Sequence, residues 1–273
     1  MSSNAFLTEL RCAEALARAA GQRIEIGRRA GVTVDYKGRN DLVTNVDREV
    51  ETFLRAEIKE LFPEDRIVGE EYGTEDGVDG DGEDGLHRQW LIDPIDGTTN
   101  FSMGVPIYCV SIALFAGGET VVGAIYDPTR DELFSARRGH GTRVDGVEVK
   151  SSAEQDLSHA VMVTGFPPIK TDDTFESIVW KFGHVARASR GVRRLGSAAL
   201  DLAYIATGRI DGFWEFNLNP WDTAAGYLMV EEAGGRVTQA DGAPFSPFAK
   251  SVVATNGHIH DSLLDVLKSA KIS

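Results

Sequence analysis

Cysteine is scarce in this chain. Its only two, Cys12 and Cys109, fall in a helical and an apolar strand pattern, which suits two small core residues and not a disulfide framework. No apolar run approaches ~18 residues, and no basic stretch leads into an apolar one at the start, so neither a membrane span nor a secretory leader is expected. Positive charge is also short. Lys and Arg number 28 against 42 Asp and Glu, and a formal net charge of −14 argues against nucleic acid or an anionic membrane as partner. Convincing histidine ligand spacing is missing too: His87, His140, His159, His184, His258 and His260 are scattered, with surface or core placement expected for each. The expectation is a reduced, cytoplasmic enzyme or binding protein. An acidic chain that handles an anionic substrate needs local positive charge, which metal ions would supply.

What is present is ordinary for a globular protein: 42% apolar and 26% charged residues over a length that fits one large α/β domain or two small ones. Leu7, Leu10, Ala13, Ala17, Ala20 and Ile24 predict a helix from about Asn4 to Arg29. Val46, Val50, Phe53, Leu54, Ile58 and Leu61 predict another, stopped at Pro63. Between them, Lys37 to Asp41 reads as a turn or mobile loop. Close-set strands over 107–115, 120–126 and 132–136, with turn signals at Asp127-Pro128 and Asp145-Gly146, predict an antiparallel sheet with hairpins. Strands over 160–164, 210–215, 236–238 and 251–255 then alternate with helices over 173–189, 195–204, 221–234 and 261–271. No repeat or linker forces a domain boundary. The acidic run Asp76 to Gly85 is no calcium loop: with Asp79 first, Asp84 stands where Gly is needed and Trp90 where the bidentate Glu is needed. It reads as an acidic surface loop.

The most informative stretch is Trp90-Leu91-Ile92-Asp93-Pro94-Ile95-Asp96-Gly97-Thr98-Thr99-Asn100. A buried strand ends in a carboxylate, Pro94 is expected to stop the ladder, and Asp96 follows before a step that can open a helix. Two carboxylates with a fixed kink between them can converge on one point, and N–H groups at Gly97 and Thr98 suit an anion. Hard divalent cations take oxygen ligands and share them with phosphates. The other reading is an Asp-Pro turn with a cap. Three more acidic positions carry the same ambiguity. Thr44 and Asp47 match a helix capping pattern, Glu70-Glu71 ends a short strand over 66–71, and Asp222 follows Trp221 at a helix start.

Together these blocks stop looking independent. Asp47, Glu70-Glu71, Asp93-Pro94-Ile95-Asp96-Gly97-Thr98 and Trp221-Asp222, with Gly234-Gly235 beyond, resemble in order and spacing the signature of the inositol monophosphatase family of Mg²⁺-dependent, lithium-sensitive phosphatases. The resemblance covers essentially the whole chain. It implies a five-layer αβαβα sandwich of α/β type, one domain over 1–273 with an N-terminal half to about 150 carrying most metal ligands, and usually a homodimer. It implies hydrolysis of a small phosphorylated polyol or sugar, with myo-inositol monophosphate foremost and histidinol phosphate, fructose 1,6-bisphosphate or a nucleotide phosphate as alternatives. A regulatory protein that contacts RNA or the transcription machinery on the same fold is the alternative of another class.

By resemblance, Glu70, Asp93 and the Ile95 carbonyl would bind one Mg²⁺, and Asp93, Asp96 and Asp222 a second. A third, near Glu70, would carry the attacking water, with Asp47 and Thr98 orienting and activating it. The substrate would meet Glu70, Ile95, Asp96, Gly97 and Thr98 at its phosphate end, and Gly196, Ser197, Ala198, Glu215 and Asp222 at its hydroxyls. Glu215 stands seven residues before Asp222, as in the inositol phosphatases, and a carboxylate accepts from vicinal hydroxyls. One departure is Phe101-Ser102-Met103-Gly104, where many relatives carry a His before the Gly; it lies outside the metal shell.

Overall fold

The computed structural model describes residues 5–38, 41–74, 88–166 and 172–269. The chain opens with α1 (Leu7–Ala30), β1 (Val34–Gly38), β2 (Asp41–Thr44), α2 (Asn45–Leu61), β3 (Arg66–Gly69), β4 (Gly73–Thr74), β5 (Gln89–Asp96) and α3 (Thr98–Met103). A run of strands follows: β6 (Cys109–Ala116), β7 (Glu119–Asp127), β8 (Glu132–Arg137), β9 (Thr142–Val144) and β10 (Val147–Val149). Then come β11 (Val161–Thr164), α4 (Asp172–Ala188), β12 (Gly191–Arg193), α5 (Ala198–Ala206), β13 (Gly212–Phe216), α6 (Pro220–Glu232), β14 (Arg236–Thr238), β15 (Ser251–Thr255) and α7 (His260–Ser269).

Strands β10-β9-β8-β7-β6-β5-β3-β4 form an eight-stranded sheet, antiparallel except where β3 meets β5. Strands β12-β11-β13-β15-β14 form a second sheet of five. The pleat sends alternate side chains to opposite faces, and this sorts the core. Trp90 and Ile92 pack outward with Ala17, Ile24, Val50 and Leu54 of α1 and α2. Leu91 points inward with Leu200, Leu202 and Leu228 of α5 and α6, which also meet Val163 and Phe213 of the second sheet. On that sheet's far side Trp214 and Val253 pack with Val185 of α4 and Leu263 of α7. The layers therefore run helix, sheet, helix, sheet, helix, as the resemblance implies.

Two expectations need correction. Residues Lys37 and Gly38 are not in an open turn: β1 pairs antiparallel with β2, Val34 opposite Thr44. The alternation that marks a half-buried strand is missing because every residue of β1 is exposed. Nor does Pro94 stop the ladder. Pairing with β3 ends at Ile92, but β5 continues against β6 from Asp93↔Ser111 to Asp96↔Cys109, two residues of β5 bulging past one of β6. The acidic run 76–85 and His87 lie outside the described residues.

His260 is fully buried, its two ring nitrogens 2.9 Å from Thr238 Oγ1 and 3.0 Å from Thr255 Oγ1. Burial holds its pKa down to about 4. The unfolded chain takes up that proton nearer 6.5, so acidification favours unfolding, and stability is expected to fall from pH 6.5 toward 4 by roughly 3 kcal/mol. Thermal melts of wild type and His260→Gln between pH 7 and 4.5 check this. The variant should start less stable and lose less on acidification; parallel curves would remove His260 as the cause.

Candidate active site

The bulge in β5 aims Asp93 and Asp96 out of the strand end. Asp93 Oδ1 accepts the Ile95 N–H at 3.0 Å, and the Ile95 carbonyl accepts from Thr98 Oγ1 at 3.0 Å. Gly97 turns the chain at φ +101°, where a Cβ would come 3.0 Å from the Ile107 carbonyl and 3.1 Å from that of Gly196. Only glycine fits there. Helix α3 has just six residues, so any anion contact here rests on single N–H groups and not on a helix dipole. Met103 is 76% exposed.

Asp96 is fastened across the layers. Its Oδ2 accepts from Ser197 Oγ at 2.7 Å and the Ala199 N–H at 2.6 Å, and its Oδ1 from the Ala198 N–H at 3.3 Å. Ser197 and Ala198, expected to face substrate, thus commit these donors to a carboxylate. Asn100 Nδ2 supports the same seam by donating to the carbonyls of Ile107 and Leu195, both at 2.8 Å.

Asp47 and Asp222 share a device. Each is the third residue of its helix and reaches back one oxygen to the cap: Asp47 Oδ2 accepts the Thr44 N–H at 2.8 Å, and Asp222 Oδ2 the Asn219 N–H at 2.7 Å. Asp47 Oδ1 meets Thr98 Oγ1 at 3.2 Å. In Asp47 capping thus occupies one oxygen and the contact with Thr98 the other, so the cap does not exclude a second role.

Glu70 and Glu71 follow β3 and face Lys37, whose Nζ lies 3.1 Å from Glu70 and 2.7 Å from Glu71. The turn is braced from beneath. Fully buried Glu51 accepts the N–H groups of Glu71 (2.7 Å) and Tyr72 (3.1 Å) and pairs with Arg55 Nε at 2.8 Å, while Arg55 donates to the Gly73 carbonyl. Sequence reading missed Lys37, Glu51 and Arg55; the only local signal was the i, i+4 spacing of Glu51 and Arg55.

Glu215 lies on the inner face of β13, so close over Gly165 that a Cβ there would overlap its carboxylate. Behind it sits Asp201 of α5, 1% exposed, whose Oδ1 has no hydrogen-bond partner among the described residues. Asp201 also escaped sequence reading, hidden in the apolar run of α5.

Burial raises the whole set, and repulsion between carboxylates adds to it at Glu70, Glu71, Asp93, Glu215 and Asp222. Burial first, then Glu70, Asp96, Asp222 and Asp47, lift the Asp93 carboxyl well above the usual range. Asp47, Asp96 and Asp222 are raised chiefly by burial, as is Glu70, which Lys37 partly offsets. Glu71 rises to about 7 and Glu215 to about 8. Among the described residues no three His, Cys, Asp or Glu side chains are drawn in tightly enough to form a ready-made metal shell. The donor set nonetheless fits a hard divalent cation: all oxygens, several partly free, and an excess of buried negative charge that Lys37 alone does not balance.

The profile of the Inositol monophosphatase family matches residues 7–271. "Nus factor SuhB" of Escherichia coli strain K12 is 41% identical over 245 residues, 87% of this chain and 89% of that protein. "Inositol-1-monophosphatase" of Rhizobium meliloti strain 1021 is 40% identical over 244 residues, 89% of each. The crystal structure of the extragenic suppressor protein SuhB from Bartonella henselae superposes with a TM-score of 0.87 at 38% identity, covering 96% of this chain and 98% of that one.

Proposed function

This chain belongs to the inositol monophosphatase family, and on that premise we propose that it is a Mg²⁺-dependent phosphatase that hydrolyses myo-inositol monophosphate to inositol and phosphate. The observation that carries the reading is the approach of Glu70, Asp96, Asp222 and Asp47, from separate segments of the chain, to buried Asp93, near enough that each raises its pKa.

Glu70, Asp93 and the Ile95 carbonyl would hold one Mg²⁺, and Asp93, Asp96 and Asp222 a second. When bound, the ions would offset the phosphate's charge and make water acidic enough to attack near neutral pH. The chain's own groups orient and exclude. Thr98 Oγ1 and Asp47 Oδ1, 3.2 Å apart, form a pair that would position the water, with buried Asp47 receiving its proton. The hydrogen bonds to Asp96 fix its direction before substrate arrives, which is how preorganised sites avoid reorganisation at the moment of reaction. Glu215 would accept from substrate hydroxyls, and its buried place limits rotation.

Purified protein should release phosphate from inositol 1-phosphate in Mg²⁺ and not in EDTA, in preference to histidinol phosphate, fructose 1,6-bisphosphate and a nucleotide 3′-phosphate. Glu215→Gln is expected to raise KM for inositol 1-phosphate several-fold with little change in kcat. An unchanged substrate profile in that variant would remove Glu215 from recognition.

The Escherichia coli relative is named a Nus factor, which favours a second, regulatory reading. The net charge of −14 weighs against direct binding of nucleic acid, and the complete carboxylate set weighs for catalysis. No release from any substrate in the panel would overturn the phosphatase reading in favour of this one.

A further inference from the structure

A cavity of about 510 Å³ opens on the outer face of the second sheet, where α4 passes the ends of β13 and β15. Its position follows from strand alternation. On β13, Glu215 points inward, whereas Trp214 and Phe216 pack outward toward the helices α4 and α7. The cavity is thus separated from the carboxylates by one strand, and Phe216 in its wall adjoins Glu215 in sequence.

Its lining is unlike the rest of this acidic protein. Lys181 and Lys250 both border it, together with the hydroxyl residues Ser177 and Ser251 and the amide of Asn217; Ile178 and Phe216 form the apolar wall. Lys181 Nζ bonds Ser177 Oγ at 2.6 Å and lies 5.5 Å from the Phe216 ring centre. Among the described residues neither lysine has a carboxylate partner, in a chain with 42 carboxylates to offer. Burial alone lowers the Lys181 pKa. Asn217 holds a left-handed turn at φ +59°, and its N–H donates to the Lys250 carbonyl at 2.8 Å, which ties the two strand ends together and sets Lys250 at the rim.

Two unpaired ammonium groups with neutral donors beside them suit a dianion, and the apolar wall suits an attached organic body. The volume is that of a small-ligand site. We propose that this cavity binds a small organic phosphate, its phosphoryl group between Lys181 and Lys250 and its body against Ile178 and Phe216. The inference does not rest on the phosphatase reading.

The test uses the full chain in EDTA, where the uncompensated carboxylates of the other site repel anions. Inorganic phosphate and phenylphosphonate, which cannot be hydrolysed, are titrated by calorimetry. One saturable site is expected, with phenylphosphonate bound several-fold tighter than phosphate. The double variant K181Q/K250Q should lose about tenfold or more in affinity, since charge-assisted bonds are the strong ones. K181R/K250R should keep binding, and Lys59→Gln, on distant α2, should change nothing. Unaltered melting temperatures would show that the variants fold. Wild-type affinity in K181Q/K250Q, or no saturable binding by wild type, would overturn the proposal. Equal affinity for the two probes would overturn the assignment of an organic body.

Discussion

Asp93→Asn is expected to cut Mg²⁺-dependent phosphate release by about 10³-fold or more while raising the melting temperature in EDTA by several degrees. The loss follows because a bound metal supplies several kcal/mol of transition-state stabilisation and each ~1.4 kcal/mol is tenfold in rate. The gain follows because Asp93 is 2% exposed and faces four other carboxylates, yet its one hydrogen bond among the described residues, from the Ile95 N–H, is one an amide oxygen can accept equally. Removing its charge relieves repulsion without orphaning a donor. The same electrostatics set a pH dependence. Glu71 and Glu215, with pKa values of about 7 and 8, keep protons in the folded state that the unfolded chain releases near 4.5. Their stabilising contribution is present at low pH and lost as pH rises through 8. Because His260 acts in the opposite sense below 6.5, melts between pH 6.5 and 8 read the raised carboxyls, Glu71 and Glu215 among them, without its contribution. Activity within tenfold of wild type would sink the metal assignment, and a lower metal-free melting temperature would sink the repulsion argument.

Glu51→Ala is expected to destabilise the fold by about 3–5 kcal/mol, the cost typical of leaving one member of a buried ion pair behind. The change strips Arg55 of its carboxylate and leaves the Glu71 and Tyr72 N–H groups without acceptors. A fall in melting temperature of roughly 10 °C corresponds to that loss for a chain of this size. Activity should fall too, since the turn that carries Glu70 loses its brace. Glu51→Gln keeps an acceptor oxygen and is expected to recover part of both. A Glu51→Ala protein that melts within a degree or two of wild type would show that the brace carries no weight.

Much of this architecture was legible locally. The helical period of Leu7 to Ile24 and the unbroken apolar run of Trp90, Leu91 and Ile92 report burial directly, and burial is what the layers are made of. What escaped depends on contacts distant in sequence. Lys37 meets Glu70 and Glu71 across more than thirty residues, and nothing around Lys37 announces it. Pro94 lacks an N–H and so looks like an end, but β5 bulges there and resumes its pairing with β6 at Asp96, which no local property of the stretch foretells. Thr44 and Asp47 posed a different difficulty: the cap reading was right, and it concealed that a carboxylate has a second oxygen. Asp201 vanished into Ala198-Ala199-Leu200-Asp201-Leu202-Ala203, where periodicity registers only the apolar majority.

The fastening of Asp96 to Ser197, Ala198 and Ala199 has a wider implication. One side of that junction belongs to the eight-stranded sheet, and the other to the helix layer that leads into the second. A slip of an ångström between them would leave nearly every strand and helix intact and still dismantle the cluster. Turnover is then a vernier for the alignment of the two sheets. Under gradual heating or denaturant, it should fade before circular dichroism registers any change.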